Sequence, residues 1–427
     1  MYNTYLYYYI EIVFINIHNR SQKLNIVICL LNMSIAIGLN SGSSVDSVDV
    51  AIIETEIYKN RMEPIKVLKH FEFQWPDNIK KLVLNAIEFN IKIPEFSRLN
   101  TMVGSFFGET INMALKESGL NSADIDVIGY DGQTIYQEPP LIGKIDKNSC
   151  KLPVTYNVIN KTLGTTLQIG ESAMVAAITG IKTVTKFRPA DMAVGGTGAP
   201  IEEFLDYIQY KNIAPVLTLN IGGIANIHAI HKDINKVMAF DVGPGNILID
   251  RLSRNKFGKE YDKDGNIALY GKINNRLLDE LMTHPFLSIK PPKCAWREDF
   301  NDIFLRKILR KYSHVNINDI MTTITEFTVK AILEGLKWVP YMDNINTIIG
   351  NGGGLLNKYI VNSLKSQLPE HIKLMMSDYF GIPIKANEAA KFGALALATI
   401  NNIPANFPNA SGATKMSILG KVSYPPL

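Results

Sequence analysis

Residues 35–53 constrain the fold of this chain more than any other stretch. Apolar residues alternate at Ile35, Ile37 and Leu39, stop at a run of small polar residues from Asn40 to Ser47, and alternate again at Val48, Val50 and Ile52. A period of two is that of a half-buried strand, so the segment predicts a strand, a turn and a second strand. The turn is built from Gly42, Ser43, Ser44, Val45, Asp46 and Ser47, with Asp49 just beyond. Small residues let backbone N–H groups approach an anion, and carboxylates beside them suit a phosphate accompanied by magnesium. An ordinary hairpin with a polar tip is the plain alternative.

The plan recurs at mid-chain. Val216–Ile230 is an apolar strand, a turn at Gly222-Gly223 and another alternating strand, with Asn220 beside the turn. Two hairpins of one design, each opening about half of the chain, predict an internally duplicated protein with a ligand between its halves. Phe240-Asp241-Val242-Gly243-Pro244-Gly245-Asn246 and Thr347–Leu355, with Gly352, Gly353 and Gly354, then read as strands turning through glycines into helices. Such units aim helix N-terminal amides at whatever lies above a sheet, and several together favour an ATP site.

Elsewhere the patterning predicts helices through 78–120, a strand at 127–130, helices near 172–179 and 201–210, and a strand at 182–185. The second half reads as a strand at 237–241, helices across 246–254, 273–282 and 301–336, a strand at 346–350, and helices at 355–367 and 389–400. Strands alternating with helices indicate an α/β fold. The expected division is a non-conforming extension over 1–33, a first lobe over 34–215 and a second over 216–427, whose C-terminal part is allowed to return to the first lobe.

The 427 residues give room for two domains, and 46% hydrophobic with 20% charged residues is the balance of a globular protein. A net charge of +4, with no basic stripe carrying interleaved aromatics, argues against a nucleic-acid partner. Cys29, Cys150 and Cys294 are too scattered for a disulfide framework or a zinc cluster, which suggests a reducing, cytoplasmic setting. The aromatic start of the chain lacks a basic leader, carries Glu11, and is interrupted by His18, Asn19 and Arg20. That fits neither a secretory signal nor a membrane span.

Several further motifs stand in order: Gly132-Gln133-Thr134, Thr166–Glu171, Phe187-Arg188-Pro189-Ala190-Asp191, Gly198-Ala199-Pro200, Tyr261–Gly265 and Pro291-Pro292-Lys293. Together with the glycine turns they resemble the anhydro-N-acetylmuramic acid kinase family, over residues from about Ile35 to the end. Gly38–Gly42 and Leu419–Ser423 look closer to its eukaryotic branch, levoglucosan kinase. The resemblance implies a two-lobed, actin-like and hexokinase-like ATPase fold with a duplicated core and a central cleft. It also implies ATP and Mg2+, a small anhydrosugar substrate and no membrane partner, and leaves a homodimer open.

Phosphate clamping is expected from residues 42–49, Val48 included, with Asn220, Gly222, Gly223, Asp241, Gly243, Gly245, Asn246 and the 352–354 glycines completing the nucleotide site. Asp46, Asp241 and Glu388 are the expected magnesium-linked acids. Read from residues alone, Asp191 caps the next element at least as readily as it serves as a base. The resemblance implies the base: Asp191, beside Arg188, deprotonates a water that opens the 1,6-anhydro bridge while the released O6 takes the γ-phosphoryl group. Three departures stand out: Asp131 replaces the family's usual histidine before Gly-Gln-Thr, Lys186 replaces its usual aspartate before Phe-Arg, and Ser47 replaces a loop glycine. Trp296 also alters the surroundings of Lys293. The readings are therefore an anhydro-N-acetylmuramic acid kinase-like enzyme, a levoglucosan kinase of the same family, or a catalytically weak nucleotide-binding regulator on the same fold.

Overall fold

The computed structural model describes residues 33–42, 45–138, 155–156, 161–162, 164–295 and 299–427. The expectations placed on the first 32 residues, on Ser43 and Ser44, on Cys29 and Cys150, and on Trp296 lie outside the described residues.

The hairpin at the start of the described chain forms as its alternation predicts. Strand Met33–Ser41 pairs antiparallel with Ser47–Tyr58, in register from Met33 opposite Glu56 to Ser41 opposite Val48. Ser47–Tyr58 pairs in turn with Lys66–Gln74, while Met33–Ser41 runs parallel to Val127–Tyr130 and that strand parallel to Thr183–Thr185. The second half repeats this order and sense. Val216–Ile221 is antiparallel to Ile224–Ile230, which is antiparallel to Met238–Pro244. On its other side Val216–Ile221 is parallel to Thr347–Asn351, and that strand to Lys373–Met376. Five strands of the seven-stranded first sheet and the five-stranded second sheet share one plan, the duplicated core of the two-lobed, actin-like architecture.

Each sheet carries its own core, and a third cluster containing Ala36, Val216, Ile349, Leu395 and Ala396 joins the halves. The joint is made by helix Asn387–Ile400, which presses on the first sheet. A Cβ on Gly38 would sit 1.8 Å from the Ala389 carbonyl oxygen, and one on Gly129 would sit 2.1 Å from that of Phe392. Only glycine at those two strand positions lets helix backbone and sheet backbone meet. The chain then closes back on the first sheet, where Lys421–Ser423 pairs antiparallel with Thr183–Thr185.

Three local expectations are corrected. The long helix expected over 301–336 is two helices, Asp302–Lys311 and Ile317–Leu336, because Asn316 accepts the Asn318 N–H and starts a new one. Strand Lys66–Gln74 was not expected at all, nor was the short helix Phe187–Ala193. Among the described residues no helix is long and apolar enough to cross a membrane.

Candidate active site

The two hairpin turns meet over one carboxylate. Asn40 closes the first strand of the first half, and Asn220 closes its counterpart in the second. Asn40 Nδ2 donates to Glu388 Oε2 at 2.6 Å, and Asn220 Nδ2 donates to Glu388 Oε1 at 3.2 Å. Glu388 opens the joining helix and is half-buried, so it is not a solvated surface glutamate. It ties equivalent points of the two lobes to the element that connects them.

The glycine turns of the second half divide into two kinds. Gly222 has nothing nearer than 3.6 Å to a built Cβ, and Gly353 faces open space. Beside them, Asn220 Oδ1 and Asn351 Oδ1 are buried without a hydrogen-bond partner. Bare backbone next to orphaned acceptors fits a ligand rich in donors and π-surface, as a nucleotide is. Gly243, Gly245 and Asn246 carry structural contacts of their own. The Gly245 and Ile247 amides donate to the Gly223 carbonyl and the Asn246 amide to that of Gly222, so their N–H groups are spent bracing the hairpin. A Cβ on Gly243 would lie 2.7 Å from that of Ala331, which marks it as a packing glycine.

The first turn is more open. Asp46 is 62% exposed and lies 3.8 Å from Lys80 Nζ. Across from it, Asp250 is pushed up to about 7, first by burial and then by Asp46 and neighbouring acids, against the pull of Arg254. Val48 is wholly buried in the first core, and Asp49 pairs with His70 Nε2 at 2.9 Å. Asp46, Asp241 and Glu388 do not converge: among the described residues no group of three His, Cys, Asp or Glu side chains is placed to hold a metal ion. Carboxylates offered singly still suit magnesium, which keeps waters and binds substrate phosphates.

Asp191 has no exposed surface. Its Oδ2 accepts the Gly198 N–H at 2.9 Å, and its Oδ1 accepts from Asn406 Nδ2 at 2.8 Å and Ser411 Oγ at 2.7 Å. A Cβ on Gly196 would fall 2.1 Å from Oδ2, so backbone covers the carboxylate. Three donors and a covering backbone hold it to the 195–200 loop, an arrangement close to the capping alternative. Arg188 stays at the cleft. Its Nε donates to Asp131 Oδ2 at 2.6 Å and its Nη1 to the Gly198 carbonyl at 3.0 Å. Asp131 is thus the partner of Arg188. Lys186 turns away and donates to the Gln168 carbonyl.

Asp241 is differently housed. It sits on strand Met238–Pro244, retains 9% exposure, and accepts the Ala295 N–H at 2.6 Å, with the Cys294 thiol close by. Burial, reinforced by Glu202, raises its carboxyl to about 6 against the pull of those donors and of Lys293. Lys293 is brought down to about 8 by burial, while its ammonium rests on the Phe286 and Leu287 carbonyls at 3.2 and 3.5 Å. A carboxylate poised near neutrality beside a basic group is what proton abstraction needs. Sequence reasoning missed Glu202, Asp250 and Lys391, whose partners come from distant segments.

The model of the anhydro-N-acetylmuramic acid kinase family matches residues 34–425. The chain is 34% identical over 419 residues to an anhydro-N-acetylmuramic acid kinase of Caldanaerobacter subterraneus subsp. tengcongensis, a match covering 96% of this chain and 99% of that one. It is likewise 34% identical to the enzyme of that name from Clostridioides difficile, covering 92% and 98%. Among solved structures it resembles component A of the (R)-2-hydroxyglutaryl-CoA dehydratase of Acidaminococcus fermentans at 9% identity and a TM-score of 0.43, over 86% of this chain and 99% of that one. That likeness is too loose to bear on function, whereas the family match spans nearly every residue described above. The chain belongs to the anhydro-N-acetylmuramic acid kinase family.

Proposed function

We propose that this sugar kinase uses ATP to convert a 1,6-anhydrosugar to the sugar 6-phosphate, with Asp241 as the base. In this reading Asp241 takes a proton from water, and the water oxygen bonds to the anomeric carbon. The C1–O6 bridge bond breaks, O6 attacks the γ-phosphorus, and the bond to the β-phosphate oxygen breaks to release ADP. The base role that the resemblance gave to Asp191 passes to Asp241. The observation carrying this is the contrast in their surroundings: Asp191 is sealed under three donors, whereas Asp241 keeps an opening and a carboxyl near 6.

Other residues take supporting roles. The open turns at Gly222 and Gly353 would receive the nucleotide, with the unpartnered Asn220 and Asn351 oxygens as acceptors for its donors. Arg188, aligned by Asp131, directs cationic N–H groups at sugar oxygens. Asp46 would hold water on a magnesium ion carried by the phosphates, which neutralises charge on the leaving group when bound. Glu388 keeps Asn40 and Asn220, and so the two lobes, in register.

Coupled ADP release across anhydrosugars in oxygen-18 water tests the reaction. The proposal expects label on the anomeric oxygen and none in the phosphate. Label in the phosphate would mean ATP hydrolysis instead.

A further inference from the structure

The second half carries a cavity that the proposed reaction does not use. It measures about 840 Å³, within the range of small-molecule sites, and lies where the start of strand Met238–Pro244 faces the segment 408–413. Asp241, Glu388, Asn220 and the glycine turns are not among its lining residues. One wall is Pro291, Pro292 and Tyr341 of the second half, and the other is Pro408, Asn409 and Gly412. That other wall is tied to the first half, since the Thr197 N–H donates to the Ser411 carbonyl at 2.8 Å and the Thr414 N–H to that of Val194 at 2.9 Å. The cavity is therefore a seam between the halves, bridged where Asn409 Nδ2 donates to the Asn235 carbonyl.

Its polar groups are held in place. The Tyr341 hydroxyl reaches the Ala229 and Lys236 carbonyls at 3.0 and 2.9 Å, which fixes residues 229–236 against that wall. The His231 ring makes a T-shaped contact with Tyr341 at 5.1 Å, and its Nδ1 accepts the Asp233 N–H at 2.9 Å. A ring nitrogen that accepts leaves the hydrogen on the other one, so His231 Nε2 is a donor. Asp233 is turned back on its own loop, where Oδ1 accepts the Asn235 N–H at 3.1 Å. Among the described residues the lining holds no carboxylate, and its formal charge is the ammonium of Lys236. Asn235, Asn344 and Asn409 add side-chain amides. One cation, one imidazole N–H and three amides around flat apolar proline walls suit a hydroxylated ring that carries a single anionic group.

Both walls lead to the two buried acids. Pro292 is followed by Lys293, whose carbonyl accepts the Asp241 N–H at 3.1 Å, while Asn406 and Ser411 bond Asp191. A molecule spanning the seam would hold the walls at one separation, whereas turnover by a two-lobed kinase requires closing and opening. We propose that the seam is a second ligand site, for a sugar phosphate of the kind the reaction releases, and that its occupation slows turnover without competing for the anhydrosugar site. The naming of that ligand as product rests on the kinase reading above; the existence of the site does not.

Two measurements on the full chain test this. In calorimetric titration with N-acetylglucosamine 6-phosphate, wild type should bind one equivalent more than Asn344→Trp, whose indole fills the cavity, and Lys236→Ala should hold that equivalent at least about tenfold more weakly. Inorganic phosphate and N-acetylglucosamine, each offering half of the chemistry, should fill the seam at least about tenfold more weakly than the sugar phosphate. In ADP release with Mg-ATP and either 1,6-anhydro-N-acetylmuramic acid or 1,6-anhydroglucose at saturation, N-acetylglucosamine 6-phosphate should lower wild-type kcat several-fold. Both variants should keep the wild-type kcat and resist that loss, with melting temperatures near wild type showing that they are folded. Equal stoichiometry and affinity in wild type and both variants, inorganic phosphate bound as tightly as the sugar phosphate, or inhibition that saturating anhydrosugar abolishes would overturn the proposal. ADP release with neither anhydrosugar overturns the kinase reading and the effect on turnover with it, and the titration still decides the site.

Discussion

Asp191 and Asp241 are both buried carboxylates, one contributed by each half of the chain, and their surroundings differ in the way the proposed reaction uses. Asp191 accepts three hydrogen bonds and has no solvent-facing surface, so its energy goes into holding the 195–200 loop to the 406–411 segment. Asp241 is opposed by burial and by Glu202, which leaves its carboxyl near 6 and its proton affinity usable. An acidic residue in a motif announces a carboxylate. What that carboxylate can do is decided by how many donors already claim it.

The largest effect should come from Asp241→Asn. Loss of a general base typically costs about a hundred- to ten-thousand-fold, so kcat with the best anhydrosugar should fall by that much while ATP still binds. Turnover within threefold of wild type would break the comparison at its active end. Asp191→Ala should act on the fold instead. It strands the Gly198 N–H, the Asn406 amide and the Ser411 hydroxyl in the interior, at a cost of roughly 3 kcal/mol or more in denaturant unfolding. An unchanged unfolding midpoint with a large loss of kcat would exchange the roles of the two acids. The smallest change belongs to Asp46→Asn, which removes an exposed charge. It should shift stability by no more than about 0.5 kcal/mol, raise KM for Mg-ATP several-fold, and leave the Asp191–Asp241 contrast intact. A stability loss as large as that of Asp191→Ala would mean that the first turn is structural.

The hairpins, their duplication and the helix returning at the end were legible because period-two alternation and glycine turns are local signals. Lys66–Gln74 was not, since its burial is only partial along both faces and Lys66, Lys69 and Glu72 interrupt any apolar run. The break between the two helices after residue 311 was hidden because apolar periodicity continues past Asn316, and a single cap outweighs it. In the site, the glycine turns and the acids were visible as residue types. Which acid is sealed was invisible, because two of the donors that seal Asp191 come from 215 and 220 residues further along the chain. Lys391 was hidden for the same reason: inside an alanine-rich helix it reads as a surface lysine until Asp206 and Glu202 are brought against it. Gly245 and Asn246 show the converse, since amides in a glycine pattern suited to phosphates brace a neighbouring turn.

The pH dependence of kcat/KM reaches the central claim most directly. The base must be ionised in the free enzyme, and burial raises the Asp241 carboxyl to about 6. Activity should therefore be full above that value and fall about tenfold for each pH unit below it, with the fold intact by circular dichroism across the range. An acid limb centred near 6 is the predicted result. A profile that stays flat down to the ordinary aspartate range, near 4, would contradict the assignment of Asp241 as the base.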